Sequence, residues 1–250
     1  MKIIISPAKK MVIDTDSLMP KDMPKYIGEA LNIVSYLKSL SYEELKKIWK
    51  CNDTIAKLNY ERVQSMDLHS NLTPAILSYE GIQYQYMAVG VFDSSSYDYI
   101  QKHLRILSGL YGVLKPFDGV TPYRLEMQAK INMVDNSRVV TNLYDYWGDK
   151  LYSSLEDEVI INLASKEYSR CIEKYITEEN KFITCSFGEM NEGKFIEKGT
   201  KVKMARGEMV KFMAENRIKN ADELKQFKGL NYCYCAEISS PTRFVFVENP

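Results

Sequence analysis

The chain predicts a mixed α/β fold: one domain over residues 1–250, with a mixed β-sheet core flanked by helices. Three observations carry this. The β-branched run Ile3-Ile4-Ile5 stops at Ser6-Pro7, as a buried strand feeding a loop does. Amphipathic stretches with a period near 3.6 follow it, and further short strands, "VIINLA" among them, alternate with helices in the second half. Hydrophobic content of 45% with 26% charged residues is that of an ordinary globular chain, and no repeat, low-complexity tract or linker-like shift divides it.

After the first strand, Pro20 and Pro24 bracket a polar connection. Tyr26–Ser39 is predicted helical from Ile27, Leu31, Val34 and Leu37. Ser41-Tyr-Glu-Glu44 is a capping box opening a helix through about Trp49. Asp53–Gln64 gives a third helix, with Ile55, Leu58 and Val63 inward, and Thr73-Pro74 starts a short one. A helix over 94–108, capped within Ser94–Ser96, puts Tyr97, Ile100, Leu104 and Leu107 on one face. Tyr144–Leu155 is predicted helical, and Val159–Ala164 is a central strand followed by a short helix. "KFITCSF" and "GKFIEKGTKVKM" pair around Asn191-Glu192-Gly193. Met204–Arg217 is a helix, and Tyr232–Ala236 and Phe244–Val247 are closing strands.

Lys+Arg and Asp+Glu balance at 33 each, so no global charge advertises a nucleic-acid or membrane partner. The charge is segregated instead. Lys201, Lys203, Arg206, Lys211, Arg217 and Lys219 face only Glu208 and Glu215, whereas Asp135–Glu179 holds ten acidic and five basic residues. A neutral chain can therefore present a positive face. The five cysteines form no CxxC, and their odd number argues against a secreted disulfide framework. The first apolar run is too short for a signal peptide, and no stretch has the length of a membrane span. A reduced, cytoplasmic protein is expected.

The most unusual stretch is "QKHLRILSGLYGVLKPFDGVTPYRLEM", Gln101 to Met127. A helix ending in Ser108-Gly109-Leu110-Tyr111-Gly112 resembles the turn of a helix-hairpin-helix, where glycines let exposed N–H groups meet a nucleic-acid phosphate. Arg105 and Lys115 flank that turn and add charge without reading bases. The spacing is Gly-x-x-Gly rather than Gly-x-Gly, and Pro116 leaves little room for a second helix. A glycine C-cap followed by a tight turn fits the same residues.

Conventional catalytic signatures are absent. His69 and His103 stand in unrelated contexts, and the chain has no HExxH, no Cys/His metal spacing, no P-loop and no GxSxG. Neither a metal nor a cofactor is expected, and Cys233-x-Cys235 reads as structural. Polar residues at element ends remain: Ser6 and Lys9 after the first strand, Asn162 and Ser165 at the end of "VIINLA", Arg124 and Glu126 in the proline-braced loop, Tyr144 and Asp149 beside Trp147. Lys203, Arg206 and Arg217 belong to the basic segment, with Arg206 before a glycine that permits close backbone approach of a ligand. As an enzyme site, Ser6, Lys9, Glu126, Tyr144, Asp149 and Asn162 are the catalytic candidates. Glu126 would act as acid or base, Lys9 and Arg206 as phosphate partners, and Tyr144 as a stacking platform.

Taken in order, "IIISPAKK", "HLRILSGLYGVLKPFDGVTPYRLEM", "LYDYWGD", "VIINLASKEY", "KMARGEMVKFMAENR" and "FKGLNY" resemble the YaaA family of bacterial peroxide-stress resistance proteins, from residue 3 to about residue 232. The resemblance implies an unusual α/β arrangement around a positive cleft with a helix-hairpin-helix element. It also implies binding of duplex and other DNA, and limitation of free intracellular iron under hydrogen peroxide. The hairpin falls on Ser108, Gly109, Leu110, Tyr111 and Gly112, and Lys9, Arg124, Lys203, Arg206 and Arg217 become candidates for lining the cleft. No catalytic assignment comes with it. Tyr86 stands where the family pattern Gly-x-x-Tyr-x-Gly-Leu has its second glycine, and Glu197-Lys198-Gly199 reshapes the edge beside the basic segment. The expected partner is therefore DNA, bound without sequence preference, with any effect on iron indirect. The alternative is an enzyme acting on a nucleotide, nucleoside or damaged base, for which a nucleotide-like small molecule is the ligand.

Overall fold

The computed structural model describes residues 1–135, 137–155, 159–178 and 180–249, so Glu156, Asp157, Glu158 and Glu179 of the acidic stretch lie outside the described residues. Its main sheet is built from β1 (Lys2–Ile5), β2 (Leu104–Ser108), β3 (Gly112–Leu114), β4 (Val159–Leu163), β5 (Lys181–Asn191), β6 (Lys194–Ile196), β7 (Tyr232–Tyr234) and β8 (Arg243–Glu248). The order is β7-β8-β5-β4-β1-β2-β3, with β6 paired to the far end of β5. The five inner strands run parallel, and the edge pairs β7/β8 and β2/β3 are antiparallel. Ile3, Ile4 and Ile5 are fully buried at its centre, which explains an unbroken apolar run where a half-exposed strand would alternate.

The flanking helices are α1 (Ile27–Ser39), α2 (Tyr42–Trp49), α3 (Asp53–Ser65), α4 (Ile82–Met87), α5 (Ser94–His103), α6 (Leu143–Trp147), α7 (Lys166–Glu173) and α8 (Gly199–Glu215). The capping box forms as expected: Ser41 Oγ accepts from Glu44 N–H, and Ser41 N–H donates to Glu44 Oε2 at 2.8 Å. The inward faces of α1 and α3 are rotated from the expected ones. Leu31, Ile55 and Leu58 are exposed, while Ala30, Ile33, Ala56 and Asn59 are buried, so each packed face lies to the side of the expected one.

The largest correction falls on Gln101–Met127. The helix stops at His103, and Leu104–Ser108 is a fully buried strand beside β1, with Ile3 opposite Leu104 and Ile5 opposite Ile106. A short apolar run satisfies helical and buried-strand patterns alike, and here the neighbouring strand decides. Asp93, rather than Ser94–Ser96, caps α5, its Oδ1 accepting from Ser96 N–H at 2.8 Å. Ser108-Gly109-Leu110-Tyr111-Gly112 is consequently a β-hairpin turn and not a helix-hairpin-helix. All five residues are buried, so no phosphate reaches their N–H groups.

Both glycines are demanded by packing. A Cβ on Gly109 would lie 2.4 Å from the Leu125 carbonyl oxygen. Gly112 has φ +73° and presses against Trp147 and Leu151. Trp147 Nε1 in turn donates to the Gly109 carbonyl at 3.1 Å.

Other boundaries shift for local reasons. The 144–155 segment is two short helices, α6 and Lys150–Ser153, broken at Gly148 with φ +52°. The hairpin at Asn191-Glu192-Gly193 is present, with φ 49° at Glu192 and 77° at Gly193. Its second strand ends at Ile196, so residues 199–204 belong to α8 rather than to a strand. Gly207 serves a helix contact rather than a ligand: its Cβ would lie 2.2 Å from the Gln83 carbonyl oxygen of α4. Tyr86 packs at the same place, its Cβ 3.0 Å from that position, so the glycine at 207 provides the close approach beside a tyrosine.

Candidate functional site

The chain leaves β1 toward β2 on one side and leaves β4 toward β5 on the other, so the carboxyl ends of β1 and β4 part at a topological switch point. Open α/β sheets bind ligands at such points. A cavity of about 570 Å³ occupies this one, lined by the segment Ser6–Lys10, the start of α4, Tyr123–Glu126, the start of α7, and Lys203 and Arg206 of α8.

Its floor is stitched from the two strand ends. Ser6 Oγ accepts from Ser165 N–H at 2.8 Å and donates to Ser165 Oγ at 3.1 Å. Tyr84 OH donates to the Ser6 carbonyl at 2.9 Å. Ser165 caps α7 without a side-chain cap bond; its carbonyl accepts from the Tyr168 and Ser169 N–H groups at 2.9 Å, while the first two N–H groups of the helix precede any intrahelical acceptor.

The opposite wall is Tyr123–Glu126. Here the Gly109 hairpin has its place, because it packs directly behind Leu125. Ser108 Oγ and Tyr123 OH are 2.7 Å apart, and Tyr79 OH is 2.8 Å from Tyr123 OH. The most unusual stretch of the sequence therefore shapes the cleft from behind.

The charges converge unequally. Lys9 Nζ lies 2.9 Å from Glu126 Oε2, and Arg124 Nη2 lies 3.2 Å from Glu126 Oε1. Lys10 pairs with Glu80 at 2.8 Å at the rim. The buried Nε atoms of Arg124 and Arg206 have no hydrogen-bond partner. Burial pushes the Arg206 guanidinium down from its ordinary value, with Glu197 and Cys185 opposing the shift, yet arginine stays charged. Glu167 accepts from Gln128 N–H at 3.3 Å, and burial, aided by the negative charge of Glu126, raises its carboxyl above the usual range.

Of the residues singled out in the sequence, Ser6, Lys9, Arg124, Glu126, Ser165, Lys203 and Arg206 meet in this cavity. Others do not line it. Asn162 is buried and satisfied, its Oδ1 accepting from Ala164 N–H at 2.9 Å and its Nδ2 donating to Thr184 Oγ1 at 3.2 Å. Tyr144 OH donates to the Glu167 carbonyl at 3.0 Å, and Arg170 covers its ring at 5.1 Å, so it supports α7 rather than stacking a base. Asp149 is exposed beside the Lys150–Ser153 helix. Arg217 lies beyond the other end of α8, donating to Ser95 Oγ at 2.8 Å. Arg105 and Lys115 line a second cavity of about 420 Å³ with Asp22, Lys25, Asp118 and Ser154. Sequence reasoning missed Glu167, Gln83, Tyr84, Tyr123 and Tyr168 of the lining. Glu167 was findable, four residues past a strand end in the first turn of a helix.

Among the described residues, no three His, Cys, Asp or Glu side chains are grouped to hold a metal, and no helix is long and apolar enough to cross a membrane. A family model described as peroxide stress protein YaaA matches residues 1–238. A UPF0246 protein of Agathobacter rectalis is 58% identical over 248 residues, 98% of each chain. One of Desulfitobacterium hafniense is 57% identical over 250 residues, 99% of this chain and 98% of its own. A third, of Lachnoclostridium phytofermentans, is 54% identical over 250 residues, 99% of this chain and 96% of its own. With every cleft-lining residue from Ser6 to Arg206 inside the matched region, the chain belongs to the peroxide stress protein YaaA family.

Proposed function

We propose that this protein acts in the peroxide stress response by binding nucleic-acid phosphate, with DNA as the partner, in the cleft at the ends of β1 and β4. The observation that carries this reading is the convergence of Lys9, Arg124, Lys203 and Arg206 on one cavity, with Arg206 half-buried and unpaired. The phosphate is taken by charge and by the Ser6 and Ser165 hydroxyls, and the Gly109 hairpin plays no direct part. Binding is to the backbone and so independent of base sequence. Limitation of free iron follows from binding indirectly, because the cleft presents cations and hydroxyls rather than thiolates or imidazoles.

The test is fluorescence anisotropy of duplex, single-stranded and bubble DNA with wild type, Lys203→Ala/Arg206→Ala and the distant Arg217→Ala. The cleft double variant is expected to bind at least about tenfold more weakly, the loss expected for one or two charged contacts, and Arg217→Ala close to wild type. Equal effects of the two changes would refute the assignment.

A second reading has its own support. Glu126 is ion-paired with Lys9 and Arg124, and burial, aided by the negative charge of Glu126, raises the neighbouring Glu167 carboxyl, which suits a general acid acting on a nucleotide or damaged base. Incubation with nucleotides and damaged oligonucleotides, followed by mass spectrometry of products, separates the two. Turnover abolished by Glu167→Gln with binding retained would favour the enzyme; absence of any product leaves the binding protein.

A further inference from the structure

The five cations that line the cleft are not equivalent. Lys10 is matched by Glu80, and Lys9 and Arg124 share Glu126. Lys203 and Arg206 remain. Among the described residues, neither has a carboxylate within the 4.0 Å of an ion pair. Three positions apart on α8, they project from one face of the helix. Lys203 is exposed at the mouth, whereas Arg206 is half-buried with its Nε sealed from solvent. With only the longer-range attraction of Glu197 and Cys185 to offset its burial, this cation is costly, and arginine cannot relieve the cost by losing its proton. An incoming anion removes the cost.

The charge and shape of that anion can be read from the site. Two unmatched positive charges match a phosphate monoester, which carries about −1.5 to −2 at neutral pH, better than a phosphodiester with a single charge. A monoester has one substituent and needs one exit. A diester inside a strand has two, and both would have to leave a cavity of about 570 Å³ whose floor is closed by the Ser6–Ser165 bonds. That volume is in the range of small-ligand sites of about 300–1,000 Å³. It leaves space beyond the phosphate for a sugar and base against Tyr84 and Tyr123.

We propose that the cleft receives a terminal phosphate monoester, the group that ends a DNA strand or a mononucleotide, with Arg206 and Lys203 holding the phosphate. This rests on reading the cleft as a nucleic-acid phosphate site and narrows it: DNA is engaged at its ends, not along its length.

The test uses the full chain and one duplex sequence prepared with phosphate or with hydroxyl at its strand ends, plus a covalently closed circular duplex. Deoxynucleoside monophosphates, the matching nucleosides and inorganic phosphate serve as competitors. Removing the terminal phosphate is expected to weaken binding at least about tenfold, as loss of a charge-assisted contact does. The closed circle should fail to compete, and Arg206→Gln should erase the difference between the two ends. Lys203→Ala, at an exposed position, should reduce that difference without unfolding the protein, so an unstable Arg206 variant does not remove the test.

Competition by monophosphates equal to that of phosphorylated ends would identify free nucleotides as the source, and competition by ends alone would identify strand termini. Either supports the proposal. Equal affinity for phosphate and hydroxyl ends, with Arg206→Gln weakening both, overturns it while leaving the phosphate cleft intact. Absence of binding to any DNA, nucleotide or phosphate overturns both.

Discussion

Asp118 shows what one buried carboxyl does to the pH behaviour of this protein. It is 2% exposed; its Oδ2 accepts from Lys115 N–H at 2.8 Å, and its Oδ1 has no partner. Burial, against weaker opposing help from Lys115, raises it from 3.8 to about 6. The folded state thus holds this proton more tightly than the unfolded chain does. Its contribution favours folding at acid pH, declines as pH rises from about 4 to 6, and remains unfavourable above that window. A tenfold change in proton affinity is worth about 1.4 kcal/mol, so the penalty near neutrality is at most about 3 kcal/mol. Asp118→Asn is therefore expected to stabilise the protein by about 1–3 kcal/mol at pH 8 and to have little effect near pH 4. Urea denaturation of both proteins at the two pH values checks this; an equal effect at both would show that ionisation is not the cause.

At the scale of elements, the cleft depends on two close backbone approaches, Gly109 on the Tyr123–Glu126 wall and Gly207 on α4. Gly207→Ala forces α4 and α8 apart at a contact with no flexible side chain to yield, an overpacking expected to cost about 1–3 kcal/mol. Because Arg206 is the adjacent residue, DNA affinity should fall as well. Gly199→Ala, in the first turn of the same helix with open space around it, should be neutral or stabilising by up to about 1 kcal/mol. Thermal melts of the pair should differ by several degrees, at about 2–4 °C per kcal/mol for a chain of this size. Equal melting temperatures would show that the helices separate without penalty.

Gly109→Ala carries the same logic to the opposite wall. Its Cβ would meet the Leu125 carbonyl at 2.4 Å, so both stability and cleft binding should drop, although no ligand touches Gly109. Loss of binding with unchanged stability would instead point to direct contact. The helices whose ends carry their own signals, such as Ser41 before α2, were legible because capping is local chemistry. The β2–β3 hairpin was not, because its apolar run fits a helix as well as a strand until β1 lies beside it.

Over the whole molecule, a net charge of zero conceals a cleft lined by five cations and three carboxylates. If Lys203 and Arg206, the cations without a carboxylate at ion-pair distance, each displace one counterion, the logarithm of DNA affinity should fall with the logarithm of salt with a slope of about −2. A slope near zero would exclude phosphate binding as the source of affinity, and Lys203→Ala/Arg206→Ala should lower its magnitude by about 2.

Strand and helix content, most element types and the family resemblance follow from the order of side chains along the chain, since periodicity, caps and turn residues act over a few positions. So do Ser6 and Ser165 as polar groups just past strand ends, and Arg124 and Arg206 as basic residues of a loop and of a helix. Which of these face one another depends on strand order, and no local pattern reports it. Placing β1 between β2 and β4 brings Ser6 onto Ser165, turns the glycine hairpin inward behind Leu125, and sends Arg105 and Lys115 to a different cavity. Burial then separates Arg206, left without a carboxylate at ion-pair distance, from Arg217 at the surface, two residues that look alike in sequence and differ because only one is enclosed by contacts distant along the chain.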